Sequence, residues 1–133
     1  WSHVYGLACG LDMTRRDVQF ALRSKSLPWD LSKAFEESAV IGAITPISGQ
    51  IDLDGRRLTL DVNGERRQDA LQGDLLWKIE ELIAHLSGYY RLDAGDLIYT
   101  GTPAGVGAVL PGDRLHGHID GLEDIDITIG DRL

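Results

Sequence analysis

The pattern of apolar and polar residues along this chain predicts more strands than helices. Short apolar or alternating runs bounded by glycine, proline and aspartate are typical of strands. No run approaches the roughly 20 apolar residues that a membrane span requires. Strands are predicted over residues 4–11, 39–44, 58–62, 97–100, 114–120 and 125–129.

Residues 58–68 carry a strong hairpin pattern. Apolar and polar residues alternate up to Val62, Asn63-Gly64 follows, and a charged segment that ends at Gln68 comes next. Asn-Gly is typical of a type I′ turn, because both central residues of that turn need a positive φ. We therefore expect a β-hairpin whose charged second strand is exposed or lies at a sheet edge.

The runs at residues 114–120 and 125–129 predict a closing hairpin or meander. His116 and His118 alternate with apolar residues in the first of these runs, so both side chains would share its outer face. A solvated strand face explains this pair better than a metal site does.

Two helices are predicted. The first runs from Thr14, as its N-cap, to about Lys25, and the second from Asp74, as its cap, to a stop at Gly88. Helical spacing divides the first helix into a stripe that packs on the core and a polar face. The stripe consists of Val18, Ala21, Leu22 and Lys25, and the polar face of Arg16, Gln19 and Arg23. Two helices among many strands make the fold class α+β and β-rich, with a mainly antiparallel or mixed sheet.

Composition limits the kinds of partner. The chain has 133 residues, 43% of them hydrophobic, and we expect one domain over residues 1–133. A formal net charge of −8 disfavours nucleic acid and anionic membranes, since both require clustered lysine and arginine, and leaves divalent cations and small ligands. The single cysteine, Cys9, excludes an internal disulfide and predicts a buried, inert thiol in a reducing compartment. A start at Trp1, close to an apolar strand, suggests that the domain is incomplete at its N-terminus.

Two stretches are candidates for chemistry. Asp12 ends an apolar run just before a helix, whose first turn carries partial positive charge. Spacing alone favours the simpler interpretation, in which Asp12 ends a strand by accepting backbone N–H groups. Gly101 to Gly107 has three glycines around Thr102-Pro103. Such a loop lets the backbone approach a ligand and direct N–H groups at an anion, although a glycine-rich connection without a function fits as well.

Four motifs follow one another along the chain. They are residues 10–19 (GLDMTRRDVQ), 33–35 (KAF), 62–68 (VNGERRQ) and 101–107 (GTPAGVG). This ordered set closely resembles the fumarylacetoacetate hydrolase superfamily. The Asp-Met-Thr form of the first motif and Leu27-Pro28-Trp29 before the second are similar to its acylpyruvase and fumarylpyruvate hydrolase branch. The resemblance implies a mixed β-sheet roll of the superfamily's C-terminal domain type, in a homodimer.

The resemblance also implies roles for individual residues. Members of the superfamily use Mg²⁺ or Mn²⁺ held by a Glu-x-Glu pair and a later aspartate, which Asp12 matches. Lys33 matches a lysine beside the metal and the substrate oxygens, and Thr102 matches the threonine that holds the 2-oxo-carboxylate end of the substrate. Arg16 and Gln19 match polar residues that line the site. The family's Glu-x-Glu pair lies before the aspartate motif, and nothing in residues 1–11 supplies it.

The activity that the resemblance implies is cytoplasmic hydrolysis of a C–C bond in an acylpyruvate-type β-diketo acid, most specifically fumarylpyruvate, in aromatic-compound catabolism. Arg23 shares the face of Arg16 and Gln19, so its guanidinium could pair with a distal carboxylate of fumarylpyruvate, unless it is a plain surface arginine. Oxaloacetate decarboxylation, and isomerisation or decarboxylation of a hydroxydienedioate, are alternatives on the same fold. A non-catalytic interaction module is an alternative from another class.

Overall fold

The computed structural model describes residues 1–131, in which every strand pairing is antiparallel. Two short strand pairs near the start of the chain form what we call the N-terminal ribbon, and four later strands form a sheet. The ribbon contains β1 (Gly6–Leu7), β2 (Gly10–Asp12), β3 (Ala39–Ile41) and β4 (Thr45–Pro46). The sheet contains β5 (Arg57–Val62), β6 (Glu65–Leu71), β7 (Arg114–Ile119) and β8 (Ile125–Thr128), in the order β6-β5-β7-β8.

Three α-helices accompany the strands within residues 1–131, one more than the pattern predicts. They are α1 (Arg16–Arg23), α2 (Asp30–Lys33) and α3 (Ile79–Ser87), and a 3₁₀ turn spans Gln72–Asp74. The additional helix is α2, which has four residues and is too short for a periodic pattern. None of the helices in this part of the chain has the length and apolar character needed to cross a bilayer.

The first predicted strand is divided in two. β1 pairs with β4 and β2 pairs with β3, and residues 8–9 between them belong to neither strand. The Gly42 N–H donates to the Cys9 carbonyl over 2.8 Å and extends the β2–β3 pairing into this gap, and the Ile47 N–H donates to the Tyr5 carbonyl over 3.1 Å and extends the β1–β4 pairing at its outer end. The predicted strand at 97–100 is wrong: that segment is irregular, with Leu97 and Tyr99 exposed.

The start of α1 differs from the prediction. Arg15 occupies the N-cap position and makes no side-chain cap bond, since a guanidinium cannot accept an N–H. The hydroxyl of Thr14, the predicted N-cap, donates back to the Asp12 carbonyl over 3.5 Å. The buried residue of α1 is Gln19, which lies on the predicted polar face, whereas Ala21 and Lys25 of the predicted stripe are exposed. The face of α1 that turns inward is therefore partly polar.

The second predicted helix starts later than expected. Lys78 occupies the N-cap position of α3, and its backbone N–H donates to the Glu81 carboxylate over 2.9 Å. The Asp74 carboxylate instead accepts the Leu71 N–H over 3.1 Å and so stabilises the 3₁₀ turn. The predicted stop at Gly88 is confirmed as the C-cap of α3.

The core lies between the ribbon and the inner face of the sheet. Its buried members are Cys9, Ile119 and Ile125, with Leu11, Val40, Leu58, Leu122 and Ile127 packed against them. Gly117 in β7 provides the close approach, since a Cβ there would lie 2.7 Å from Ile125 Cγ2 and 3.2 Å from Cys9 Sγ. Cys9 is 3% exposed, which confirms a buried cysteine, and this burial raises the pKa of its thiol.

The outer face of the sheet is polar. The hairpin prediction is confirmed, with Asn63 at φ 53° and Gly64 at φ 80° in the turn and β6 at the edge. His116 and His118 share this outer face and contact carboxylates of β8 and of the preceding turn. Hydrogen bonds to Asp124 and Asp120 raise the pKa of His118.

Candidate functional site

The candidate site begins with an ion pair between two predicted residues. Asp12 is the last residue of β2 and Lys33 the last residue of α2, and Lys33 Nζ donates to Asp12 Oδ2 over 2.7 Å. The lysine side chain is 37% exposed and the aspartate side chain 48% exposed. The pair is therefore formed in the folded chain and is open to solvent or to a ligand.

The short helix α2 positions Lys33. Ser32 is fully buried, and its hydroxyl donates to the Trp29 carbonyl over 2.6 Å. The Ser32 carbonyl accepts the Arg15 N–H over 3.0 Å, which ties α2 to the residue before α1. Lys33 follows Ser32 directly, so this buried serine fixes the direction in which the lysine leaves the helix.

The polar face of α1 supplies the next group. Arg16 Nη1 donates to Gln19 Oε1 over 2.7 Å, and Gln19 is buried. This bond fixes Arg16 and Gln19 relative to each other one helical turn apart. Arg23 is exposed in the last turn of α1, away from that pair along the helix axis.

The glycine-rich loop, residues 101–107, lies against the edge strand β6. Gly105 has φ +98°, and a Cβ built there would overlap the Arg67 carbonyl oxygen, so no other residue fits. Gln68 Nε2 donates to Thr102 Oγ1 over 2.9 Å and to the Pro103 carbonyl over 3.0 Å. The loop is thus held at two points, and Thr102 itself is exposed.

Tyr99 connects the start of this loop with the ribbon. Its hydroxyl donates to the Val40 carbonyl over 2.9 Å, and its ring lies where a Cβ on Gly10 would be, 2.9 Å from Cε1. Partial burial and the negative charge of Asp12 raise the pKa of Tyr99. The segment that leads into the glycine-rich loop therefore runs past β2, the strand that ends at Asp12.

Gln68 and Tyr99 are the residues of this region that the sequence did not single out. The available indication for Gln68 was its place in the motif at 62–68, but the charged pattern around it predicts an exposed strand. A register shift between Leu60 and Asp61 pairs Leu60 with Gln68 and so turns Gln68 to the inner face. Tyr99 carried no indication beyond an apolar neighbourhood.

The described residues do not by themselves fit a resident divalent ion. In residues 1–131 no three or more His, Cys, Asp or Glu side chains are grouped to hold a metal. Asp12 offers one carboxylate, and one of its oxygens already accepts the Lys33 ammonium. Mg²⁺ needs a nearly octahedral set of oxygen ligands, so Asp12 can be one member of such a set and not the whole of it.

Comparison with known proteins assigns the family. Residues 1–129 match the family model described as fumarylacetoacetate (FAA) hydrolase C-terminal. The chain belongs to the fumarylacetoacetate hydrolase family. The resemblance seen in the four motifs is confirmed, and so is the β-rich α+β fold of this family's C-terminal domain.

Individual relatives extend the comparison. The chain is 48% identical over 127 residues to a fumarylpyruvate hydrolase of a Ralstonia species, which covers 96% of this chain and 66% of that protein. It is 43% identical over 120 residues to a mitochondrial oxaloacetate tautomerase of Rattus norvegicus, covering 90% of this chain and 54% of that protein. The chain therefore spans only part of the length of these family members.

One solved structure of the family is especially similar. A fumarylpyruvate hydrolase from Pseudomonas aeruginosa, in complex with Mn²⁺ and pyruvate, aligns with a TM-score of 0.92 and 43% sequence identity. The alignment covers 98% of this chain and 56% of the Pseudomonas chain. The fold of this chain is thus similar to that of 56% of the Pseudomonas chain.

Proposed function

We propose that this chain carries part of the active site of a metal-dependent hydrolase that cleaves fumarylpyruvate. The observation that carries the proposal is the contact between Asp12 and Lys33, which places a carboxylate and an ammonium at one open position. The 48% identity to the Ralstonia fumarylpyruvate hydrolase supports this substrate. The pyruvate in the Pseudomonas structure supports it too, since hydrolysis of an acylpyruvate releases pyruvate.

The reaction divides an acylpyruvate between the methylene carbon and the distal acyl carbonyl. Water adds its oxygen to that carbonyl, and the C–C bond then breaks, so that its electron pair passes to the methylene carbon. The resulting enolate of pyruvate takes up a proton, and the acyl part leaves as a carboxylic acid. Negative charge therefore develops on oxygen atoms twice along this path.

Lys33 is the residue that we expect to stabilise this developing negative charge. Its ammonium is held by Asp12 before substrate arrives, and a cation already in position stabilises a developing oxyanion without reorganisation. Thr102 and the N–H groups of the glycine-rich loop would bind the carboxylate of the 2-oxo acid, and Arg16 and Gln19 would line the site. These groups orient the substrate, and we assign water activation to none of the described residues.

Asp12 is proposed as one oxygen ligand of Mg²⁺ or Mn²⁺. The Mn²⁺ in the Pseudomonas relative supports this assignment. Residues 1–131 do not complete a ligand set, so activity would depend on further ligands as well as on Asp12. A measurement of metal binding therefore tests the role of Asp12 more directly than a measurement of activity.

A second candidate function is tautomerisation of oxaloacetate. The rat relative named for that activity is 43% identical to this chain, close to the value for the Ralstonia enzyme. Oxaloacetate has the same 2-oxo-carboxylate end as fumarylpyruvate, so Thr102 and Lys33 would serve both substrates. Arg23 is the residue by which we expect the two functions to differ, since a long dicarboxylate could reach it.

An assay of the full-length protein with Mn²⁺ compares the two functions. We expect cleavage of fumarylpyruvate, which is monitored by the loss of its absorbance and by the release of pyruvate. Its kcat/KM should be well above the value for acetylpyruvate. Enol–keto conversion of oxaloacetate without any cleavage of fumarylpyruvate would overturn the proposal. Homodimer assembly and a cytoplasmic location stay predictions, which light scattering and cell fractionation test.

A further inference from the structure

Gln68 joins the edge strand to the residue proposed to hold the substrate carboxylate. It is 7% exposed, and its terminal amide faces three oxygen atoms of the glycine-rich loop. These are Thr102 Oγ1 at 2.9 Å, the Pro103 carbonyl at 3.0 Å and the Ala104 carbonyl at 3.5 Å. A carbonyl oxygen can only accept, so the atom of Gln68 that faces the loop is the amide nitrogen.

This arrangement decides which way the Thr102 hydroxyl works. A hydroxyl has one hydrogen to donate and two lone pairs to accept. One lone pair of Oγ1 accepts the Gln68 N–H, and the hydroxyl hydrogen cannot point at that same donor. Thr102 is exposed, which leaves its hydrogen available for an acceptor on the open side of the loop.

We propose that Gln68 is a positioning residue that makes the Thr102 hydroxyl a donor, so that this end of the site prefers an anionic carboxylate to a neutral amide. The inference rests on the proposed function, because it takes Thr102 to contact the 2-oxo-carboxylate end of the substrate. A carboxylate carries negative charge and accepts hydrogen bonds at both oxygens, whereas a neutral amide accepts at one oxygen only and presents N–H donors at the other position.

A purely structural role of Gln68 would look different. The loop also lies close to β6 where Gly105 packs against the Arg67 carbonyl, a contact in which the Gln68 amide takes no part. Removing the amide donor should therefore change how Thr102 donates while leaving that packing contact in place. A change in preference between two ligands measures the first effect, and thermal stability measures the loss of loop attachment.

Two variants of Gln68 test the inference. Gln68→Glu replaces the donor with a carboxylate, which would accept the Thr102 hydrogen and turn it away from the ligand. Gln68→Met removes the donor at similar size without adding charge, and decides the question if the glutamate variant does not fold. Gln72→Glu is the matched control, because Gln72 begins the 3₁₀ turn directly after β6 and makes none of the hydrogen bonds to the glycine-rich loop that are described for Gln68.

The probes are pyruvate and pyruvamide, in which a neutral carboxamide replaces the carboxylate of pyruvate. Their binding to the full-length protein with Mn²⁺ is measured by calorimetry, so that the result does not depend on turnover. We expect Gln68→Glu to reduce the preference for pyruvate about tenfold and Gln68→Met to reduce it several-fold, with no change in Gln72→Glu. Thr102→Val should lower the preference as well, and Gln68→Met should add nothing in the Thr102→Val background.

The outcomes are separable. An unchanged preference in both Gln68 variants, with Thr102→Val reduced, overturns the role of Gln68 and leaves the proposed function standing. An unchanged preference in all three variants overturns the role of Thr102 and with it that of Gln68. Failure of the unaltered protein to bind pyruvate overturns the proposed function itself and this inference together.

Discussion

Lys33 Nζ donates a hydrogen bond to Asp12 Oδ2 over 2.7 Å and so joins two residues that are 21 positions apart in the chain. Both side chains are more than a third exposed. Exposed ion pairs contribute about 0–1 kcal/mol to stability, because water screens the charges and two side chains lose freedom. Substitutions at this pair should therefore leave the fold intact and report on function.

Asp12→Asn should weaken Mn²⁺ binding to the full-length protein by at least about tenfold. The amide keeps the size of the side chain but removes the negative charge that a hard divalent cation needs. Electron paramagnetic resonance of free Mn²⁺ measures the change. Asp17→Asn is the control, since Asp17 is an exposed acid in the first turn of α1. Equal Mn²⁺ affinity in these two variants would remove Asp12 from the metal site.

Arg23→Ala should raise KM for fumarylpyruvate about tenfold and leave KM for acetylpyruvate unchanged. Only fumarylpyruvate has a distal carboxylate, and a hydrogen bond between charged groups contributes about 1.5–3 kcal/mol. Steady-state kinetics on the two substrates make the comparison. Lys25→Ala removes a nearby exposed positive charge and serves as the control. Equal effects of Arg23→Ala on both substrates would contradict pairing with the distal carboxylate.

Gly105→Ala should destabilise the protein by about 2–4 kcal/mol and detach the glycine-rich loop from β6. The added methyl would overlap the Arg67 carbonyl oxygen, and the backbone has a φ of +98°. Gly107→Ala is a matched control, because its Cβ would be 3.7 Å from Arg67 Nη1, an ordinary contact. Urea unfolding compares the two variants, and similar midpoints would show that the loop does not depend on the Gly105 contact.

His118→Gln should lower the melting temperature most in mildly acidic solution. The pKa of His118 is raised above 6.5, so its contribution is fully present below 6.5 and is lost as the pH rises through the raised value. The pKa of Asp120 is lowered from 3.8, so its contribution is present above 3.8 and is lost as the pH falls through the lowered value. Both contributions are therefore present between pH 3.8 and 6.5.

Differential scanning fluorimetry across this range measures the effect of His118→Gln. We expect a difference in Tm of about 2 °C near pH 5.5 that disappears at alkaline pH, since the side chain is 38% exposed and water weakens its ion pairs. His3→Gln, at an exposed histidine outside the sheet, should show no such dependence. A difference that is constant with pH would mean that packing, and not charge, is what the substitution changes.

Local chemistry explains which elements the sequence predicts. Asn63-Gly64 favours one turn whatever surrounds it, so the hairpin is where the pattern places it. β7 and β8 likewise alternate as a sheet with one polar face requires. The segment at 97–100 has the same apolar composition as a strand, but only tertiary contacts such as that of Tyr99 with Val40 decide its conformation.

The site was accessible from the sequence in part. Spacing shows that Asp12 ends an apolar run, and Arg16 and Gln19 share a helix face, but the family motifs are what associate Lys33 with Asp12. The inward direction of Gln68 comes from the register shift between β5 and β6, which passes over Arg67 and which the charged pattern of residues 65–71 does not reveal. The four residues of α2 are held by the buried Ser32, whose polarity gives no sign of burial.

The reactivity of the lone cysteine, Cys9, provides a measure of how often the core opens. Cys9 lies under Gly117, between the ribbon and the sheet, where its high pKa and its enclosure both slow alkylation. Because Cys9 is 3% exposed, we expect a reagent to reach the thiol while the packing of the ribbon on the sheet is opened. The rate at which iodoacetamide modifies Cys9 therefore reports how often the ribbon and the sheet separate. The measurement needs no added label and no substitution.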